Sequence, residues 1–163
     1  MAGWREFLTW IEGSALGQVV RDTGVWTYGL INLVHILGIA TLFGSILVLD
    51  LRLLGWRRRL SLTAVADATV PISIAGFVVA ICSGLCLLAT NGSEYIGNPF
   101  LPIKFGAIAV GVINAVIVSR LSAWRLRGDR ESSTESLALK VCGGISLAAW
   151  VGAVGAGRMI GYW

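Results

Sequence analysis

The chain has 163 residues, of which 56% are hydrophobic and only 13% are charged, and its formal net charge is +4. A soluble domain is nearer a quarter charged, so this composition predicts a membrane protein. The basic residues stand beside apolar runs, which is typical of topology signals and not of a nucleic-acid-binding surface. The sequence contains no zinc-type cysteine pattern and no Walker or dinucleotide motif. No nucleophile–base pair or carboxylate pair indicates enzyme chemistry either, so we expect a non-enzymatic protein.

Residues 4–22 carry apolar side chains at three- and four-residue steps, with charged and polar side chains between them. This spacing predicts one amphipathic helix that lies flat on the bilayer, where its tryptophans suit the interface. The segment has no basic start followed by a clean apolar core, so we expect no cleavable signal peptide.

Four long apolar runs follow the amphipathic segment. Each is long enough to cross a bilayer as a helix, which is the conformation that satisfies backbone groups in lipid. Asp67 or Thr69 can cap the second run, with Pro71 in its first turn. The sequence therefore predicts an all-α integral membrane fold, with four transmembrane helices in a bundle plus the interfacial helix, in a single membrane domain of residues 1–163. The predicted spans are approximately residues 26–54, 69–90, 101–121 and 141–162.

Basic residues mark two of the loops. Residues 52–59 and 120–140 are rich in arginine and lysine, whereas the loop at residues 91–99 has neither. Loops rich in lysine and arginine stay on the cytoplasmic side. We therefore predict that both basic loops are cytoplasmic and that both termini face outward.

Small residues recur at every fourth position in the last two predicted spans. Such rows let membrane helices approach each other closely, so we expect the third and fourth spans to pack together. The rows are Ala107, Gly111, Ala115 and Ser119 in the third span, and Ala149, Ala153, Gly157 and Gly161 or Gly144, Ala148, Gly152 and Ala156 in the fourth.

Polar side chains fall in the outer half of several spans. His35 lies about 13 Å below Trp26 at 1.5 Å per residue. Asn32 lies one turn above His35 on the same face, and Lys104 and Arg158 lie nearer the outer ends of their spans. Ionisable residues at such depth ordinarily face protein or a water-filled cavity. These four residues, Asn32, His35, Lys104 and Arg158, are the candidate binding site for an anionic or quinone-like small molecule.

Two cofactors also suit these side chains. His35 and Met159 can act as axial ligands of a haem b, with a basic side chain paired to its propionates. Copper(I) favours imidazole, thioether and thiolate, which makes His35, Met159, Cys82 and Cys86 candidate ligands. A structural interpretation stays open, in which His35 is satisfied inside the bundle and the cysteines are ordinary buried hydrophobes. In that case the outer basic side chains extend to the headgroups.

Asp50 and Arg52 lie at the cytoplasmic end of the first span. Asp50 can reach Arg52, Arg57 or Arg120 at the end of the third span, and we expect it to act as a structural anchor.

Three stretches carry a resemblance that covers most of the chain. They read WIEGSALGQVVRDTGVWTYGLINLVHILG, FGSILVLDLRLLG and, at the C-terminus, GRMIGYW. The chain resembles a family of small bacterial four-span membrane proteins, a domain of unknown function. The resemblance implies a bacterial inner-membrane protein with four spans and an interfacial N-terminal helix. The topology is also similar to that of copper-resistance membrane proteins and of cytochrome b561-like proteins.

Together these features favour an accessory or anchoring subunit with a polar ligand site in its outer half. The alternatives are a haem- or copper-binding redox or metal-handling protein, and a transporter of ions or small molecules. The expected partners are the lipid bilayer and either another membrane protein or a second copy of the chain.

Overall fold

The computed structural model describes residues 2–126 and 136–163, and within them it contains helices and no strand. The predicted all-α fold is therefore confirmed. Arg127 and Arg130 of the predicted basic loop lie outside the described residues. The helices in chain order are α1 (Ala2–Glu12), α2 (Ala15–Asp22), α3 (Val25–Leu53), α4 (Leu62–Thr90), a short 3₁₀ helix (Gly92–Tyr95), α5 (Phe100–Arg120), α6 (Ser122–Arg125) and α7 (Leu137–Ile160).

Four of these helices, α3, α4, α5 and α7, are long and apolar enough to cross a membrane. They correspond to the four predicted spans and fit a multi-pass membrane protein. The predicted cap at Asp67 or Thr69 was wrong, because α4 already begins at Leu62. The Ser61 side chain accepts a hydrogen bond from the Ala64 amide there, at 3.4 Å. Pro71 consequently lies inside the helix and not in its first turn.

The N-terminal segment forms two helices, so the prediction of one continuous helix over residues 4–22 was wrong. The break falls at Gly13 and Ser14. The Ser14 side chain caps α2 by accepting a hydrogen bond from the Gly17 amide at 3.4 Å. A serine that satisfies a free amide in this way favours a new helix start over continuation of the old helix.

The first of the two helices, α1, keeps its amphipathic character. Leu8 and Ile11 are buried, whereas Trp4, Phe7 and Trp10 are exposed. The exposed rings follow each other along one face, since their neighbouring centroids lie 5.7 and 6.3 Å apart. This aromatic face suits the headgroup region of a bilayer.

The chain divides into two compact units. The first contains residues 1–42 and 74–99, and the second contains residues 43–73 and 100–163. Helices α3 and α4 each contribute residues to both units.

In the first unit, α3 and α4 touch through two glycines. A Cβ atom on Gly76 would lie 2.5 Å from the Leu42 backbone nitrogen, and one on Gly38 would lie 2.9 Å from the Ala80 backbone nitrogen. Both positions therefore require the absence of a side chain, because the two backbones are in direct contact. The sequence analysis missed this contact.

In the second unit, α5 and α7 pack together as predicted. A Cβ atom on Gly111 would lie 2.9 Å from the Trp150 ring, and one on Gly152 would lie 3.9 Å from the Ala107 side chain. Ala149 and Ala153 are buried. The first two residues of their row of small residues on α7 are therefore covered by protein, whereas Gly157 is half-buried and Gly161 is exposed.

Candidate functional site

His35 contacts α4 through a side-chain hydrogen bond in the first unit. It is half-buried, and its Nδ1 lies 3.0 Å from the hydroxyl oxygen of Ser83. That hydroxyl also lies 2.5 Å from the carbonyl oxygen of Val79, to which it donates its only hydrogen. The hydroxyl must then accept from His35, which indicates a ring with its hydrogen on Nδ1.

Gly84 makes room for the imidazole. A Cβ atom at that position would lie 2.9 Å from Cε1 of His35, so any larger residue would push the ring away from α4. His35 thus faces α4, the second of the four long helices. Ser83 was not predicted as its partner, although Ser83 and Gly84 interrupt an apolar run with one polar and one small residue.

An open hollow of about 420 Å³ lies between α3 and α4 beside this hydrogen bond. We call it the α3–α4 groove. Its walls are apolar except for one hydroxyl and two thiols, so it suits an acyl chain, an apolar ring system or the side of another helix. The lining residues are Leu30, Ile31 and Val34 of α3 and Val78, Val79, Cys82, Ser83 and Cys86 of α4.

Asn32 lies one turn above His35 and is exposed. Its side-chain amide makes no hydrogen bond with any residue in the ranges 2–126 and 136–163. It lies seven residues from the start of α3 at Val25, which corresponds to about 10 Å along the helix axis.

The two predicted thiol ligands differ in their exposure. Cys82 is exposed and Cys86 is half-buried, and both are free thiols that line the groove. Within the described residues, no group of three or more His, Cys, Asp and Glu side chains can hold a metal ion. Met159, the remaining predicted ligand, is exposed and belongs to the second unit. Haem and copper binding therefore stay predictions.

Lys104 and Arg158 lie together at one end of the second unit. Lys104 is half-buried, and its Nζ lies 3.6 Å from where a Cβ atom on Gly157 would be. Arg158 is the next residue on α7, and its guanidinium lies 4.5 Å from the ring centroid of Tyr162, whose hydroxyl it also bonds. The structure thus brings these two cations to one end of α7. A site that they share with His35 and Asn32 stays a prediction.

Comparison with known proteins places the chain in a family. Neither the curated proteins nor the solved structures include a match to it. The model of the family described as "Family of unknown function (DUF6644)" matches residues 7–163, which is nearly the whole sequence. The chain therefore belongs to this family.

Proposed function

We propose that the protein is a non-enzymatic accessory or anchoring subunit that binds another membrane protein through the face of α3 that carries Asn32. The observation that carries the proposal is Asn32, an exposed amide on a helix long enough to span a membrane. We further propose a bacterial inner-membrane location, with both termini outward, because of the basic loops.

Lipid leaves the Asn32 amide unsatisfied. Moving an amide from water into an apolar medium without a hydrogen bond costs roughly 2–7 kcal/mol. A partner helix can supply a carbonyl or a polar side chain, and such bonds between membrane helices contribute about 0.6–2 kcal/mol. Ile36 lies one turn from Asn32 on the same face of α3 and is 54% exposed, so the partner helix also finds an apolar surface beside the amide.

Site-specific photocrosslinking in native membranes tests this proposal. The photoreactive residue replaces Asn32 or Ile36, and in the control it replaces Ile113, which is 58% exposed on α5. We expect a discrete protein adduct from the two α3 positions and none from Ile113. The adduct at Ile36 should weaken when Asn32→Leu is added. Identical products at all three positions, or lipid adducts alone, would contradict the proposal.

Cofactor binding is the second candidate, and the His35–Ser83 hydrogen bond favours it. Histidines that ligate metals usually donate their other ring hydrogen to a protein group, which fixes the orientation of the ring. An optical spectrum and metal analysis of the purified protein test this hypothesis. A Soret band would indicate haem, and bound copper would indicate the site with thiol, thioether and imidazole ligands. If both signals are absent, the accessory role is favoured.

A further inference from the structure

Asp50 is a buried carboxyl group with an incomplete set of partners. It lies in the last turn of α3 and is only 2% exposed. The carboxyl group hydrogen bonds to the side chain of Ser146 on α7, which is also buried. Its second oxygen, Oδ2, is buried and has no hydrogen-bond partner within the described ranges 2–126 and 136–163.

Arg52 does not neutralise this carboxyl group. Its guanidinium donates to the carbonyl oxygen of Leu60 at 2.8 Å and to that of Arg58 at 3.3 Å, and so fixes the loop after α3. The predicted pairing of Asp50 with Arg52 was therefore wrong. Residues two apart on a helix point about 200° apart, so the two side chains leave α3 on opposite sides.

Helices α3 and α7 pack closely beside Asp50, and Oδ2 of Asp50 is buried. A Cβ atom on Gly143 would lie 3.0 Å from the Leu53 side chain and 3.3 Å from the carbonyl oxygen of Asp50. A neutral acid at this position lacks one hydrogen bond, which is a modest loss. An ionised carboxylate in the same place, with neither water nor a cation, costs far more.

We propose that Asp50 is a proton-binding site, which holds a proton while α3 and α7 are packed and releases it when they part. A metal ion fits this site less well than a proton does. Hard cations need several oxygen atoms around them, and Oδ2 of Asp50 has no polar partner among the described residues. A proton needs only the one oxygen. Since Asp50 lies near the end of α3, a small opening exposes it to water.

Other ionisable groups on the neighbouring elements do not share this site. Cys142 is a buried thiol within an apolar cluster that includes Leu53. Lys140 is half-buried more than one turn before Ser146, and the α5 and α4 groups, Arg120 and Asp67, are exposed. Asp50 is thus the group whose protonation controls the contact at Gly143.

Infrared spectroscopy of the full chain in lipid tests the proposal. We expect a C=O band from a protonated carboxylic acid at neutral pH, which shifts in D₂O. The Asp50→Asn variant should lose the band, and Asp67→Asn, a change at an exposed carboxylate, should keep it. No such band in the wild type, or a band that survives in Asp50→Asn, would overturn the proposal.

The Asp50→Glu variant gives a second readout. Glutamate keeps a carboxyl group that can be protonated at this position, so the C=O band should remain and should change its frequency relative to the wild type. An unchanged band in Asp50→Glu would place the protonated acid elsewhere and overturn the proposal, even if Asp50→Asn fails to fold.

Discussion

Arg21 and Ala89 connect the N-terminal helices to the end of α4. Nη1 of Arg21 donates to the Ala89 carbonyl oxygen at 3.1 Å and to that of Thr90 at 3.1 Å. Nη2 donates to the Glu12 carbonyl oxygen at 2.8 Å. The last carbonyl groups of a helix have no partner within it and carry partial negative charge. One guanidinium therefore satisfies the ends of α1 and α4 together.

Replacing Arg21 should loosen α1 and α2. In Arg21→Gln the carbonyl groups lose a charged donor, and hydrogen bonds to charged groups contribute about 1.5–3 kcal/mol. We expect faster amide hydrogen exchange in α1 and α2 and little change in α5 and α7. Arg5→Gln is the matched control, because the Arg5 side chain is exposed on α1 and should leave exchange unchanged. Equal exchange in both variants would show that the Arg21 bonds are not needed.

The attachment of α1 should also depend on pH through Glu12. Its Oε2 accepts a hydrogen bond from the Ser93 amide at 2.5 Å. Hydrogen bonds from Ser93, with a smaller contribution from the Arg21 charge, hold the pKa of the Glu12 carboxyl below its usual value. A carboxyl group whose pKa is lowered by folding stabilises the folded state. This stabilisation is complete at pH values above the usual glutamate pKa, and it is lost as the pH falls through the lowered pKa.

We therefore expect α1 to detach from the 3₁₀ helix Gly92–Tyr95 only in acid, below the usual glutamate pKa. Hydrogen exchange of the Ser93 amide across an acid series measures this. Glu12→Gln should remove the pH dependence and leave exchange fast throughout. An amide that is equally protected at acid and neutral pH would contradict the assignment.

Long patterns in the sequence predicted the structure well. The four apolar runs exceed the length that a bilayer requires, so the four long helices follow from composition alone. The packing of α5 on α7 was predictable because small residues repeat along both helices.

Features that depend on single residues were missed for physical reasons. Gly76, Ala80 and Gly84 form a short row of small residues on α4, but Gly38 has no such row on α3, so the contact between the two backbones is seen only in the folded chain. Ser14 competes with a continuous amphipathic pattern through one capping bond. The pairing of Asp50 with Arg52 was expected from proximity in sequence, although the helix turns them apart. Ser83 became visible as a partner only once α3 and α4 were placed side by side.

The close contact at Gly76 predicts that replacing this glycine with alanine lowers the stability more than the same replacement at an uncrowded glycine. In Gly76→Ala the new methyl group would lie 2.5 Å from the Leu42 backbone nitrogen, so a backbone must move. Overpacking of this kind costs typically 1–3 kcal/mol, and we expect a lower midpoint of thermal unfolding in detergent. Gly106→Ala is the control, since nothing lies within 4 Å of a Cβ there. Equal midpoints for the two variants would contradict the close contact.

The orientation of the protein can be tested with single cysteines. In a background with Cys82, Cys86 and Cys142 replaced, we introduce Ser93→Cys or Ser61→Cys, both at exposed positions. Because loops rich in lysine and arginine stay in the cytoplasm, a membrane-impermeant maleimide should label Ser93→Cys on intact cells. It should label Ser61→Cys only after the cells are permeabilised. The reverse pattern would overturn the proposed topology.

The His35–Ser83 hydrogen bond predicts a coupling energy between the two positions. Ser83→Ala leaves the imidazole N–H without its hydroxyl partner, and His35→Ala removes the ring but leaves Ser83 bonded to Val79. We expect each single change to cost about 1–3 kcal/mol, with membrane insertion intact because alanine is compatible with a spanning helix. The double variant should lose less than the sum, by about 0.5–3 kcal/mol. Chemical unfolding in detergent measures all three. Purely additive losses of stability would show that the His35–Ser83 hydrogen bond makes no contribution to stability. If a cofactor binds at His35, the His35→Ala change should also abolish its binding.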